Sequence, residues 1–138
     1  MLPRRPAKLE ILEAQRLKSA LSKVDISYDH RTEFTVEEVE KVIAILFQKR
    51  SERLYRKATS YGFKHVMERI SELFNDSGIP KYCNNRTFIE AMQNTGFRAE
   101  PEIKGSPNYF FNIEARQAKT LFFMLTYKAL LDEKYSVA

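Results

Sequence analysis

The spacing of apolar residues predicts two helices in the first half of the chain. Residues 7–24 place apolar side chains three or four positions apart, at Ile11, Ala14, Leu17, Leu21 and Val24. Further along, Thr35 and Glu38 match a capping box, and Phe34 with Val39 matches a hydrophobic staple. We therefore predict one helix over 7–24 and another over 36–61, with a stop at Gly62. The second helix is long for a small domain, so a kink or break between residues 50 and 59 is expected.

A helix, a shorter second helix and a β-hairpin are predicted between residues 63 and 113. The segment FKHVMERISELF has one apolar face at helical spacing. Asn84 or Asn85 can cap a helix over 86–94, and Gly96 stands where helices commonly stop. Pro101 confines the first strand of the hairpin to a sheet edge. The two strands meet at the turn KGSPN, and their half-buried faces are predicted to be Phe97, Ala99 and Ile103 on one side and Tyr109, Phe111 and Ile113 on the other.

The closing segment predicts a helix over 114–133 with apolar residues on two sides. Its apolar groups are too many for one small contact face, so the helix is expected either to be buried within the monomer or to join two copies in a homodimer. These groups include Phe122, Phe123, Met124, Leu125, Tyr127, Leu130 and Leu131. We expect residues 1–34 to form a basic arm, a helix and a loop, and residues 35–138 to form a single helical domain.

Charge and composition narrow the class of protein. The 138 residues include 23 Lys and Arg against 18 Asp and Glu, a net charge of +5 with a pI near 9.3, which favours polyanionic partners mildly. Most of the excess falls in the N-terminal arm and in KRSERLYRK. No apolar run is long enough to span a bilayer and nothing resembles a signal peptide, so no membrane association is expected. The single cysteine fits a reducing compartment, and we expect an intracellular protein of the cytoplasm, nucleoid or nucleus.

Residues that could carry catalysis are few. Cys83 and His65 could form a nucleophile and base pair, but a small buried cysteine is the stronger interpretation. The loop DISYDHRTE could hold a metal or an acid and base pair through Asp25, Asp29, His30 and Glu33, or it could be a polar loop with turn and capping roles. No spacing matches a zinc site. We predict no enzyme, no metal and no cofactor.

The order helix, connector, helix and hairpin over residues 63–113 resembles a winged helix-turn-helix DNA-binding domain. The resemblance implies a mainly α fold, winged-helix-like, with one β-hairpin and additional long N-terminal and C-terminal helices. It also implies that the helix over 86–94 enters the major groove and that the hairpin contacts the neighbouring backbone. The residues it implies for base edges are Arg86, Thr87, Gln93 and Asn94, and those for phosphates are Asn84, Asn85, Lys81, Arg98 and Lys104.

A second basic cluster is predicted on the helix over 36–61. Lys49, Arg53 and Arg56 would share one helical stripe, with Arg50 and Lys57 beside it. Such a row could track a phosphate backbone, or it could be a solvated face whose cations suit the end of a helix. Arg4 and Arg5 in the N-terminal arm would add to the DNA contacts. Glu90, Glu100 and Glu102 would oppose them.

The sequence therefore favours a non-catalytic protein that binds double-stranded DNA. A dimeric regulator of transcription or of replication fits these observations, with the homodimer formed through the C-terminal helix. The alternative is a helical protein-protein interaction adaptor whose hairpin is purely structural.

Overall fold

The computed structural model describes residues 8–24, 33–74 and 82–126, and its described residues are mostly helical with one small antiparallel sheet. In chain order the elements are α1 (Lys8–Leu21), α2 (Val36–Leu46), β1 (Arg50–Tyr55), α3 (Ser60–Phe74), α4 (Asn85–Asn94), β2 (Ala99–Pro101), β3 (Tyr109–Ile113) and α5 (Ala115–Thr126). The loop over 25–32, Arg4, Arg5, Lys81 and the stretch 127–133 of the predicted last helix lie outside the described residues. No described helix is long and apolar enough to cross a membrane.

The first two helices begin where the sequence predicts. On α1, Ile11, Ala14, Leu17 and Leu21 are buried, and the helix packs against α2, α3 and α5 of the same chain. The capping box of α2 is confirmed. Thr35 Oγ1 accepts a hydrogen bond from the Glu38 amide at 3.3 Å, and Glu38 Oε1 accepts one from the Thr35 amide at 2.9 Å. These two bonds satisfy amides that the first helical turn leaves without backbone partners.

The predicted continuation of α2 to residue 61 is wrong. The helix ends at Leu46, Phe47 leaves helical geometry with φ −118° and ψ 70°, and Arg50–Tyr55 forms a strand instead. This segment consists mainly of residues that tolerate a helix, yet it pairs with β3, from Arg50 opposite Ile113 to Tyr55 opposite Phe111. Helix propensity is a weak preference that such tertiary pairing overrides. The break expected between residues 50 and 59 is therefore a whole strand and a loop.

The predicted helix stop at Gly62 is wrong. Gly62 lies in the first turn of α3, which begins at Ser60. A Cβ at this glycine would lie 3.9 Å from the ring of Phe122, so α5 approaches α3 closely here. The apolar face of α3 is confirmed by the buried Phe63, Val66, Met67 and Ile70.

The sheet contains the predicted hairpin and one strand that was not predicted. Its order is β1-β3-β2, with both pairings antiparallel, so β2 with Pro101 lies at an edge as expected. Phe111 and Ile113 are buried and Tyr109 is partly buried, which confirms the inner face of the return strand. Ile103 was predicted on the half-buried face of the first strand, and this is wrong. The strand ends at Pro101, and Ile103 is 69% exposed in the hairpin turn.

Aromatic side chains join the helices to the sheet at the centre of the core. Phe47 meets Phe63 and Phe88 edge to face, with ring centroids 5.8 and 5.9 Å apart, and Phe88 meets Phe111 at 5.9 Å. The core therefore connects α2, α3, α4 and β3 directly. Such contacts add to the area that these rings bury and fix how the helices sit on the sheet.

The described part of the last helix packs within the monomer. Ala118, Leu121 and Met124 of α5 are buried, whereas Phe122, Phe123 and Leu125 are only partly buried. The helix lies against α3 and α1. One apolar side of α5 therefore lies inside the core, and the other lies at the edge of the core.

Candidate nucleic-acid-binding surface

The two ends of α4 are fixed by local sequence. Asn84 adopts an extended conformation, with φ −66° and ψ 139°, and its Oδ1 accepts a hydrogen bond from the Arg86 amide at 2.8 Å, so it is the N-cap. At the other end Gly96 has φ +98°, a backbone conformation that L side chains rarely adopt. The predicted cap and stop are both confirmed. Asn84 Oδ1 is thereby used within the protein.

The structure confirms which side of α4 is buried and which is exposed, as the helical spacing of its apolar residues predicted. Phe88, Ile89 and Met92 are buried, together with Ala91. Arg86, Glu90, Gln93 and Asn94 are exposed, and Thr87 is partly buried. Within the described residues, no hydrogen bond or ion pair engages the side chains of Arg86, Gln93 and Asn94. This row, which we call the outer row of α4, can therefore meet a partner without breaking internal contacts.

The hairpin stands beside the beginning of α4 and is tied to it. Asn85 Nδ2 donates to the Pro107 carbonyl at 3.0 Å and to Asn108 Oδ1 at 3.1 Å. The residue that follows the turn is also held, because the amide of Tyr109 donates to the Oγ of the buried Ser60, the first residue of α3, at 3.1 Å. The helix and the hairpin enclose a groove of about 740 Å³. The groove is lined by Asn84, Asn85, Arg86, Ile89, Glu90, Gln93, Ser106, Pro107 and Tyr109.

The second basic cluster is not a helical stripe, which corrects the prediction for Lys49, Arg50, Arg53, Arg56 and Lys57. The cluster lies on β1 and on the residues flanking it, and all five side chains are exposed. Lys49, Arg53 and Arg56 would share one side of a helix because of its period of 3.6 residues, but a strand repeats every two residues and Lys49 and Arg56 lie outside β1, so the predicted helical row does not exist.

Arginines of this cluster connect β1 to neighbouring elements. Arg50 Nη1 donates to the Gly96 carbonyl at 3.0 Å, and its guanidinium lies 5.9 Å from the centre of the Phe97 ring. Arg56 lies 5.3 Å from the centre of the Phe110 ring. Arg50 is thus brought next to the C-terminal end of α4, and Arg56 lies against the sheet. Both arginines remain exposed while they make these contacts.

The other predicted phosphate contacts lie in different places. Arg98 Nη2 donates to the Glu52 carbonyl at 3.0 Å, which links the start of the hairpin to β1, and Lys104 is exposed in the hairpin turn. Glu90 lines the groove, and Glu100 and Glu102 are exposed on the hairpin. The surface around α4 therefore carries both signs of charge.

Three positions important for this surface were missed by sequence reasoning. Ser60 and Asn108 hold the hairpin, and Asn112 joins strands, because its Oδ1 accepts from the Arg98 amide at 2.7 Å and its Nδ2 donates to the Ser51 carbonyl at 2.9 Å. Asn108 belongs to the turn signal KGSPN, but its partner lies 23 residues away. No local pattern could have identified these contacts.

Cys83 and His65 do not form the nucleophile and base pair that the sequence left open. The Glu68 carboxylate receives a hydrogen bond from the Cys83 amide, and its Oε1 lies 2.9 Å from His65 Nδ1. Burial raises the pKa of the Cys83 thiol to about 12, and the charge of Glu68 acts in the same direction. The thiol therefore stays protonated. No group of His, Cys, Asp and Glu side chains among the described residues could hold a metal ion.

Comparisons with protein-family models, with curated proteins and with solved structures found no match to this chain. The geometry of the surface around α4 and the hairpin therefore carries the functional argument by itself.

Proposed function

We propose that this protein binds double-stranded DNA without catalysing a reaction, in a winged-helix-like manner. In this proposal α4 lies in the major groove and the hairpin contacts the backbone beside it. The protein would act as a regulator of transcription or of replication. The observation that carries the proposal is the exposed outer row of α4 standing next to a hairpin that is tied to the same helix.

The chemistry of the outer row supports base recognition. An arginine can donate two hydrogen bonds to guanine, and an asparagine or glutamine can pair with adenine through one donor and one acceptor. Arg86, Gln93 and Asn94 offer these groups along one helix of ten residues. Buried neighbours on the inner side hold that helix in place, so the outer side chains have a rigid support.

The basic cluster on β1 supports contacts to phosphates. Arg53 and Arg56 are exposed there, and Lys104 adds a cation on the hairpin. The nearby Glu90, Glu100 and Glu102 reduce the overall attraction to DNA. We therefore expect modest binding to arbitrary sequences and a larger share of the affinity from base contacts.

Substitutions separate the two kinds of contact. Arg86→Ala should reduce the preference for the best DNA site by about 1–3 kcal/mol, because a two-bond contact to a base edge is lost. Arg53→Ala should weaken binding to all sequences alike and should lower the salt slope by about 0.9. Selection from a random duplex library followed by fluorescence anisotropy measures both effects.

Lys18→Ala is the matched control, because it removes one exposed cation from α1, which packs on α2, α3 and α5. The Lys18 variant should bind DNA as the unmodified protein does. If Arg86→Ala weakens all sequences alike and Arg53→Ala alters the preference, the proposed roles are reversed. If the Lys18 variant loses as much affinity as the other two, binding is not confined to this surface.

A protein partner is the second candidate, and one groove favours it. Tyr55, Tyr61, Phe122 and Phe123 line a groove of about 770 Å³ between α5 and the segment that joins β1 to α3. We propose that this side of α5 contributes to a homodimer, in which the two α4 helices would stand about 34 Å apart, one turn of duplex. Light scattering tests it: a mass of two chains supports the dimer, and a single chain contradicts it. An adaptor without DNA binding would keep this interface and show no affinity for duplex DNA.

A further inference from the structure

Asn85 occupies a position from which it can control the hairpin. It is the first residue of α4, and its side chain reaches the hairpin turn 22 residues further along the chain. Its Nδ2 makes both hydrogen bonds to the hairpin, one to the Pro107 carbonyl and one to Asn108 Oδ1. These are direct hydrogen bonds between the side chain of α4's first residue and the tip of the hairpin.

The orientation of the Asn85 amide is determined by its partners. The Pro107 carbonyl can only accept a hydrogen bond, so the NH₂ group must face it. Asn85 Oδ1 is then buried and has no hydrogen-bond partner among the described residues. A buried acceptor without a partner is unfavourable. The two hydrogen bonds that Nδ2 donates to the hairpin therefore determine the orientation of the Asn85 amide.

Asn108 makes the contact a rigid one. Its carbonyl accepts from the Glu102 amide at 2.9 Å and closes the hairpin, and its own amide donates to Ser106 Oγ at 3.1 Å. Its side-chain oxygen then receives the bond from Asn85. Asn108 is thus bonded to two other residues of the turn, so holding its side chain restrains the turn as a whole. The Ser60 bond holds the next residue, Tyr109, at the start of β3.

We infer that Asn85 is a positioning residue that locks the hairpin turn to the first turn of α4, so that helix and hairpin contact one DNA duplex as a single rigid unit. The inference rests on the proposed function for its effect on DNA binding, but the lock itself can be measured without DNA. It assigns Asn85 a role different from the phosphate contact that the sequence predicted. Asn84 caps the helix and Asn85 fixes the hairpin.

Two substitutions remove the lock and leave α4 folded. Asn85→Ala deletes both donors and introduces a strong helix former. Asn85→Asp keeps the shape but turns a carboxylate toward two acceptors, and an acidic residue in the first turn suits the helix dipole. An effect shared by both variants comes from the lost donors, because only one of the two variants changes the charge. Circular dichroism should show unchanged helix content in both.

Spin labels at Glu90→Cys on α4 and Glu102→Cys on the hairpin measure the lock directly. Both positions are exposed, and the native Cys83 is buried and stays unlabelled. The protein with Asn85 should give one narrow distance distribution. Both Asn85 variants should lose it and give a broad or second distribution. An equally narrow distribution in both variants would overturn the inference, whatever the protein does with DNA.

DNA binding then shows whether the lock positions the hairpin for contact. With Asn85 present, Lys104→Ala should lower the salt slope of binding by about 0.9, the loss of one phosphate contact. In the Asn85→Ala background, Lys104→Ala should change the slope no further, whereas Arg86→Ala should still reduce sequence preference. A Lys104 effect of equal size in both backgrounds would overturn the positioning role. Loss of the Arg86 effect in the same background would also overturn it, because a merely destabilised surface would lose both effects together. If the unmodified protein binds no duplex, the proposed function fails and the spin-label distances alone decide on the lock.

Discussion

Cys83 shows how the surroundings of one side chain determine its chemistry. The residue is fully buried, and its Sγ lies 3.5 Å from the Asn84 carbonyl, to which the thiol donates. Desolvation and the nearby Glu68 carboxylate both oppose the thiolate, and they raise the pKa to about 12. The thiolate is the reactive form of cysteine. A reactive role for Cys83 in the folded protein is therefore unfavourable at neutral pH.

We expect the Cys83 thiol to resist modification while the protein is folded. The rise in its pKa from 9.0 to about 12 lowers the thiolate fraction at pH 8 about a thousandfold. Reaction with a chromogenic disulfide should accordingly be very slow in buffer and fast in guanidinium. Equal rates in the two conditions would contradict the buried position. The reagent reports on Cys83 alone, because Cys83 is the single cysteine of the chain.

The raised pKa of Cys83 also makes the free energy of unfolding depend on pH in the alkaline range. A pKa that is higher in the folded state contributes stability below the unfolded value, and this contribution is lost as pH rises from about 9 toward 12. Guanidinium midpoints of the unmodified protein should therefore fall more steeply over this range than those of Cys83→Ala. Parallel pH dependence in the two proteins would show that the thiol contributes nothing.

At the scale of elements, a glycine and an arginine connect the end of α4 to β1. Gly96 has φ +98°, and a Cβ there would overlap the guanidinium of Arg50, which donates to the Gly96 carbonyl. Gly105 in the hairpin turn has a similar φ of +85°, but a Cβ there would meet nothing within 4 Å. Both glycines adopt a positive φ, but only Gly96 has a side chain close to the position that a Cβ would occupy.

Alanine substitutions at these glycines should therefore differ in cost. Gly105→Ala should lower the free energy of unfolding by about 1 kcal/mol, the cost of a left-handed conformation for an L residue. Gly96→Ala should lower it by about 2 kcal/mol, because Arg50 must also move and its hydrogen bond is lost. Chemical denaturation measures both. In an Arg50→Ala background the two substitutions should cost the same, and a persisting difference would contradict this explanation.

Elements with a strong local signal could be predicted from the sequence, and those fixed by distant pairing could not. The capping box of α2, the N-cap Asn84 and the buried face of α4 follow from residues that are neighbours in the chain. The strand β1 does not, because its partner β3 lies about 60 residues further along and RSERLY has no strict alternation. The same limit applies to the surface around α4. Its outer row was predictable, but the bonds from Asn85 and Ser60 to the hairpin exist only in the folded chain.

At the scale of the whole molecule, the basic cluster lies on a different element from the one predicted, and its member Arg50 contacts the end of α4. The sequence placed them on a long helix, whereas the fold places them on a strand that joins the same sheet as the hairpin. A two-stranded hairpin alone is marginally stable, and β1 supplies a third strand. The hairpin therefore has a rigid base as well as its tie to α4.

A salt titration decides between binding and no binding of duplex DNA at the surface around α4, as we propose. Fluorescence anisotropy of a labelled duplex should show binding at low salt, and the logarithm of the binding constant should fall linearly with the logarithm of salt concentration. Three to five phosphate contacts would give a slope of about −3 to −4.5. The Arg53→Ala variant should have a shallower slope, whereas the Lys18→Ala variant should keep the slope of the unmodified protein. No binding at low salt, or an affinity indifferent to salt, would contradict the account.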